Sequence, residues 1–117
     1  MSGETARNMF EGIWAEADRR HREMKDSHGA LFELFEAYRQ LDADERTDVD
    51  GLLAERLDSD IETFRFDAVA LIQEFRIQSA APDLVRLEER LQREDTPGAR
   101  FERAKVLRVL RILETRS

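Results

Sequence analysis

Acidic side chains are concentrated in one segment of the chain, between Asp42 and Glu62. The segment contains nine carboxylates and two arginines, so its local charge of −7 equals the formal net charge of the whole 117-residue chain. A surface of this kind speeds the encounter with a basic protein and repels nucleic acid. The alternative is that several carboxylates cap helix N-termini and the others form a solvated face. We predict a protein-binding surface formed by Asp42, Asp44, Glu45, Asp48, Asp50, Glu55 and Asp58.

Calcium binding is one chemistry that this segment could support, because D-A-D-E-R-T-D-V-D-G is rich in oxygen ligands. A calcium loop needs oxygen ligands at its first, third, fifth and twelfth positions and glycine at its sixth. Aligning Gly51 with the sixth position places Arg46 at the first and Leu57 at the twelfth, and starting from Asp42 places Arg46 at the fifth. A guanidinium repels Ca²⁺, so the spacing argues against calcium binding.

The remaining metal ligands are sparse. His21 and His28 are the only histidines, and Glu23 and Asp26 are the other ligand types near them, a pattern typical of surface histidines. The chain contains no cysteine, which excludes thiolate sites and disulfides within it and fits a reducing cytoplasm. We therefore expect a cytoplasmic protein that binds no metal and no other cofactor.

Catalytic motifs are missing from the sequence, which contains no G-x-S-x-G elbow, Gly-rich phosphate loop or H-E-x-x-H helix. Adjacent carboxylates such as Glu88 and Glu89 arise by chance among 26 acidic residues. Catalysis by two carboxylates also needs a cleft that shifts one pKa, which spacing alone does not show. We expect the protein not to be an enzyme.

The C-terminal part is basic and offers an alternative function. Arg100, Arg103, Arg108 and Arg111 could hold a nucleic-acid backbone. A sequence pI of about 4.9 and the lack of aromatic stacking groups beside them argue against this alternative.

The elements that must position these residues are helices related by an internal repeat. At an offset of 35 residues, Arg65-Phe66 and Arg76-Ile77 recur as Arg100-Phe101 and Arg111-Ile112, and a weaker copy lies upstream in residues 31–39. Repeats of 20 to 50 residues are typical of stacked helical hairpins. Apolar periodicity predicts helices over about 4–25, 30–41, 45–58, 60–77 and 97–115, with a fifth helix opened by Pro82.

Three start signals support these helices. Ser59 and Glu62 have the spacing of a capping box, which would open the fourth helix. Pro82 is suited to the first helical position, and Thr96 followed by Pro97 repeats that signal for the sixth helix.

The segments FRFDAVALIQEFRI and ARFERAKVLRVLRI resemble the first helices of short bacterial HEAT-like repeats, and APDLVRLEERL resembles a second helix. The resemblance implies an all-α fold of about six antiparallel helices stacked as a right-handed solenoid. It also implies a scaffold for macromolecular binding, and it transfers no site residues. The implied organisation is a single helical-repeat domain over 1–117, with an N-terminal capping helix at 1–26 and repeat units at 28–58, 60–94 and 96–117, the last one incomplete.

The last helix is more apolar than a terminal helix normally is. Its apolar side chains could dock against a second subunit, a partner or the N-terminal helix, or they could all be covered by the fourth and fifth helices. These residues are Phe101, Ala104, Val106, Leu107, Val109, Leu110, Ile112 and Leu113.

The sequence as a whole therefore predicts a non-enzymatic protein-binding module that does not span a membrane. A narrower hypothesis is an immunity-type or antitoxin-like inhibitor whose acidic segment blocks a basic protein. The alternatives are nucleic-acid binding through the C-terminal arginines and a structural role in a homo-oligomer.

Overall fold

The computed structural model describes the backbone of residues 3–23 and 27–114 and the side chains of residues 6–20 and 29–114. This described part is all-α and contains no strand, which confirms the predicted fold class. Its helices are α1 (Gly3–Glu23), α2 (Ser27–Arg39), α3 (Ala43–Leu57), α4 (Glu62–Phe75), α5 (Ala81–Glu94) and α6 (Pro97–Glu114), with a 3₁₀ turn at Gln78–Ala80 before α5.

The chain divides into two compact units, Met1–Leu52 and Leu53–Ser117. The stacking of the helices into one HEAT-like solenoid, and with it the single repeat domain, stays a prediction. None of the described helices is long and apolar enough to cross a membrane.

In the first unit α1 packs against α2. The rings of Phe10 and Trp14 meet edge to face, with centroids 6.0 Å apart and an interplanar angle of 87°. Apolar residues that recur every three or four positions form the buried face of each helix, as expected of amphipathic helices. The buried apolar side chains of this unit include Phe10, Trp14, Ala17, Leu34, Tyr38, Val49 and Leu52.

In the second unit α6 packs against both α4 and α5. The link between α5 and α6 is short: Asp95 adopts the left-handed conformation at the end of α5 (φ 45°), and the Ala99 amide donates to Thr96 Oγ1 at 3.0 Å. The Thr96-Pro97 start signal is therefore confirmed. The buried apolar side chains here include Leu57, Ala68, Leu71, Ile72, Leu84, Leu87, Leu91, Val106, Val109 and Leu113.

One predicted helix start is wrong, and another is displaced by one residue. α4 begins at Glu62, because Ser59 Oγ accepts a hydrogen bond from the Ile61 amide at 3.0 Å and so forms a local turn instead of a capping box. α5 begins at Ala81, which moves Pro82 to the second helical position. The amides of the first and the second residue of a helix both lack an acceptor within the helix, so proline is tolerated at either position.

Candidate functional site

A groove lies on the second unit, on the surface of α4 and α6. Its volume is about 170 Å³. α4 contributes side chains at i, i+3, i+4 and i+7, so the lining follows one face of that helix for about two turns. The lining residues are Phe66, Val69, Ala70 and Gln73 from α4 and Glu102, Lys105, Val106 and Arg108 from α6. We call this feature the aromatic groove.

Two exposed phenylalanine rings flank one ammonium group at the groove. Phe66 is 46% exposed, and Phe101, one helical turn before Lys105, is 68% exposed. Lys105 Nζ lies 4.3 Å from the ring centroid of Phe66 and 5.0 Å from that of Phe101. Both distances are within the range of a cation–π interaction. The rings are therefore held around a cation and remain available to a partner.

The carboxylate at the groove is neutralised from within the fold. Arg65 Nε and Nη2 donate to the two oxygens of Glu102 at 2.7 and 3.0 Å, and Arg65 Nη1 donates to the Ser59 carbonyl at 2.8 Å. The side chains of Arg65 and Glu102 are only 7% and 14% exposed. The hydrogen bond that Arg65 donates to Glu102, together with the charge of Glu102, raises the pKa of Arg65 despite burial. This pair joins α4 to α6 and fixes the two walls of the groove.

The groove's other ionic groups are cations. In the part of the chain that the structure describes, neither Lys105 nor Arg108 takes part in an ion pair or a hydrogen bond. Since the charge of Glu102 is balanced by Arg65, the aromatic groove is locally basic in a chain of net charge −7.

The acidic segment divides into residues with structural roles and residues without them. The Glu45 amide donates to Asp42 Oδ1 at 2.8 Å, and the Asp42 amide donates to Glu45 Oε1 at 2.9 Å. This reciprocal pair is a capping box that opens α3. For these two residues, the structure supports the alternative that the carboxylates cap a helix.

Asp50 has a different structural role. The Tyr38 hydroxyl donates to Asp50 Oδ1 at 2.8 Å, and the Arg46 guanidinium lies 4.9 Å from the Tyr38 ring centroid. Burial raises the pKa of Asp50, although the Tyr38 hydrogen bond and the Arg46 charge oppose it. Burial, the same hydrogen bond and the Asp50 charge raise the pKa of Tyr38. This carboxylate links α2 to α3 inside the first unit.

The other four predicted residues lie on two different units. Asp44 is exposed and Asp48 is half-buried in the first unit, and among the described residues neither side chain forms a hydrogen bond or an ion pair. Glu55 and Asp58 are exposed and belong to the second unit. The seven residues therefore do not share one environment.

The C-terminal arginines are also separated by their contacts. Arg103 is paired with Glu88 of α5, and Arg100 Nη1 lies 3.1 Å from Asp95 Oδ1. Arg108 lines the aromatic groove, and Arg111 is exposed. Two of the four charges are thus balanced by carboxylates.

Metal ligands do not cluster in the described residues, which contain no group of three or more histidine and acidic side chains able to hold an ion. The side chains of His21 and His28 lie outside the described residues.

Sequence reasoning did not predict the aromatic groove, although one signal for it is present. Phe66 and Phe101 are equivalent in the 35-residue repeat, and the structure brings both rings to Lys105. The adjacent residues behave differently, because Arg65 is buried and Arg100 is exposed. A repeat predicts which residue types recur, but the neighbours of each copy decide which copy is covered.

Comparison of the chain with protein-family models, with curated proteins and with solved structures gives no match.

Proposed function

We propose that the protein is a non-enzymatic protein-binding module and that the aromatic groove is its binding surface. The observation that carries this proposal is the pair of exposed rings, Phe66 and Phe101, around Lys105. Beside them lies the apolar floor of the groove, which consists of Val69, Ala70 and Val106. Exposed apolar patches with a polar rim are typical of interaction surfaces. Aromatic residues are enriched at the centres of protein interfaces, where they supply much of the binding energy.

The two rings offer enough apolar surface for a specific contact. Burying a fully exposed phenylalanine side chain is worth about 1.5–3 kcal/mol. Phe101 retains most of its accessible surface and Phe66 nearly half of it. A partner that covers both would gain a few kcal/mol before the loss of translational and rotational freedom is counted. This is consistent with a modest affinity that depends on a few anchor residues.

Selection from a displayed library of random peptides tests the proposal without knowledge of the partner. We expect enriched peptides to lose binding to Phe101→Ala and to keep binding to Phe32→Ala. Phe32 is a matched control, because it is 63% exposed on α2 of the first unit and lies outside the groove. Circular dichroism of each variant checks that the helices are retained. Peptides that bind both variants equally would show that the groove is not the binding surface.

A second candidate function is the inhibition of a basic protein by the acidic segment, in the manner of an immunity protein or antitoxin. The observation that favours it is that Asp44 and Asp48 have no partner among the described residues. The double variant Asp44→Lys/Asp48→Lys should slow association with purified basic nucleases, most strongly at low salt. Asp42, Glu45 and Asp50 are left unchanged because their roles are structural. An association rate that does not change would rule out this surface.

A further inference from the structure

Building on the proposed function, we infer that the aromatic groove binds an apolar helical segment of a partner protein that also carries carboxylates. An apolar side chain of that segment enters between the rings and the floor. Its aspartate or glutamate side chains face Lys105 and Arg108. The inference names the chemistry of the partner, which the proposed function leaves open.

The size of the groove favours side chains over a small molecule. Sites for drug-sized ligands measure about 300–1,000 Å³, whereas the aromatic groove measures about 170 Å³. Its wall on α4 runs from Phe66 to Gln73, which corresponds to about 10 Å along the helix axis. A partner helix lying there would present about two turns. One or two anchor residues fit this length, as in other complexes where an amphipathic helix occupies a groove.

The charges at the groove favour carboxylates on the partner. Glu102 cannot attract a cation strongly, because Arg65 already satisfies both of its oxygens. Lys105 and Arg108 have no carboxylate partner in the described part of the chain. On a helix, residues three or four positions apart share one face, so an anchor and a flanking carboxylate can reach the groove together.

The net negative charge of the rest of the chain repels an acidic partner, but this repulsion is weak once the partner is in contact with the groove. Charges in water are screened over about 8 Å at physiological ionic strength, so the net charge of −7 mainly slows the approach of the partner. Contacts with Lys105 and Arg108 act within that distance and set the choice of partner. We therefore expect Lys105 and Arg108 to determine the specificity of binding and the apolar floor of the groove to supply most of the affinity.

The experiment uses the peptides selected on the full chain, with their composition and their response to two charge reversals as readouts. We expect enriched peptides to combine apolar residues with aspartate or glutamate at helical spacing. Lys105→Glu should weaken their binding about tenfold, and the milder Lys105→Gln should weaken it less. Arg93→Glu is the matched control, since Arg93 is exposed on α5, forms no ion pair or hydrogen bond through its side chain with the residues that the structure describes, and does not line the groove. It should change binding by less than about twofold.

The outcomes separate the two proposals. Peptides that require Phe101 but are neutral or basic, or that do not respond to Lys105→Glu, would overturn the acidic partner and leave the proposed function standing. Peptides that do not require Phe101 would overturn the proposed function itself.

Two further results would replace the partner with another occupant. Self-association in sedimentation experiments that Phe101→Ala abolishes would assign the groove to a second copy of the chain. Tight binding of a labelled single-stranded oligonucleotide that Lys105→Glu abolishes would assign it to phosphates. Either result would overturn the inference.

Discussion

Removal of one partner of the ion pair between Arg65 and Glu102 is expected to destabilise the second unit strongly, and one substitution can test this. Glu102→Gln keeps the size of the side chain and removes its charge. Arg65 would then remain 7% exposed without its ion-pair partner, and one of its two hydrogen bonds to residue 102 would be lost, because a glutamine side chain has a single acceptor oxygen. Removal of one partner of a buried pair destabilises proteins by about 3–5 kcal/mol. We expect a loss near the lower limit, about 3 kcal/mol, because both side chains retain some exposure to water.

Replacement of both partners provides the contrasting case. In Arg65→Met/Glu102→Leu no charge is left unpaired, and well-packed apolar residues replace buried ion pairs at little net cost in other proteins. The double variant should therefore recover most of the stability that Glu102→Gln loses.

Urea unfolding followed by far-UV circular dichroism measures these differences. Arg100→Gln is the matched control, because Arg100 and Asp95 form an ion pair with side chains 59% and 71% exposed. Exposed pairs contribute about 0–1 kcal/mol. Trp14, the only tryptophan, lies in the first unit, so its fluorescence reports separately on that unit. A loss below about 1 kcal/mol for Glu102→Gln would refute the reasoning, since the charge of Arg65 would then be solvated without its partner.

Three other predictions concern the first unit and α3. Burial and the hydrogen bond to Asp50 raise the pKa of Tyr38, the only tyrosine, above its ordinary value of 10.0. The unfolded state therefore loses this proton at lower pH than the native state, and the free energy of unfolding should fall by up to about 1.4 kcal/mol per pH unit as the pH rises above that value. Tyr38→Phe should remove this slope in urea titrations at alkaline pH. Asp42→Ala should cost about 1 kcal/mol of stability through the lost capping box, whereas Asp48→Ala should change it by less than about 0.5 kcal/mol; equal effects would contradict the capping role. Gly51→Ala should raise stability by about 0.5–1 kcal/mol, because Gly51 is exposed within α3 and an added Cβ meets no atom within 4 Å; a lower melting temperature would contradict this.

Local signals in the sequence were sufficient to predict the helices. Apolar periodicity and the Thr96-Pro97 start signal depend on neighbouring residues alone, and the structure confirms both. The capping box predicted at Ser59 is wrong because the serine hydroxyl can accept a hydrogen bond from more than one nearby amide. In this protein it accepts from the amide of Ile61. The Asp42-x-x-Glu45 capping box is equally local, and for this pair the structure confirms the alternative that the carboxylates of the segment cap a helix N-terminus.

The candidate site depended on contacts that no local pattern encodes. Arg65 and Glu102 are 37 residues apart, and their pairing follows from the packing of α4 against α6. The apolar strip predicted on the last helix is only partly covered: Val106 is fully buried, whereas Phe101 is 68% exposed. Which members of such a strip remain exposed is decided by tertiary packing, and this is why the groove emerged only from the structure.

Amide chemical-shift mapping with the most enriched peptide tests the binding surface most directly. If the aromatic groove is the binding surface, the largest shifts will occur at Phe66, Ala70, Lys105 and Val106. Largest shifts in the first unit, with these four amides unchanged, would contradict the proposal.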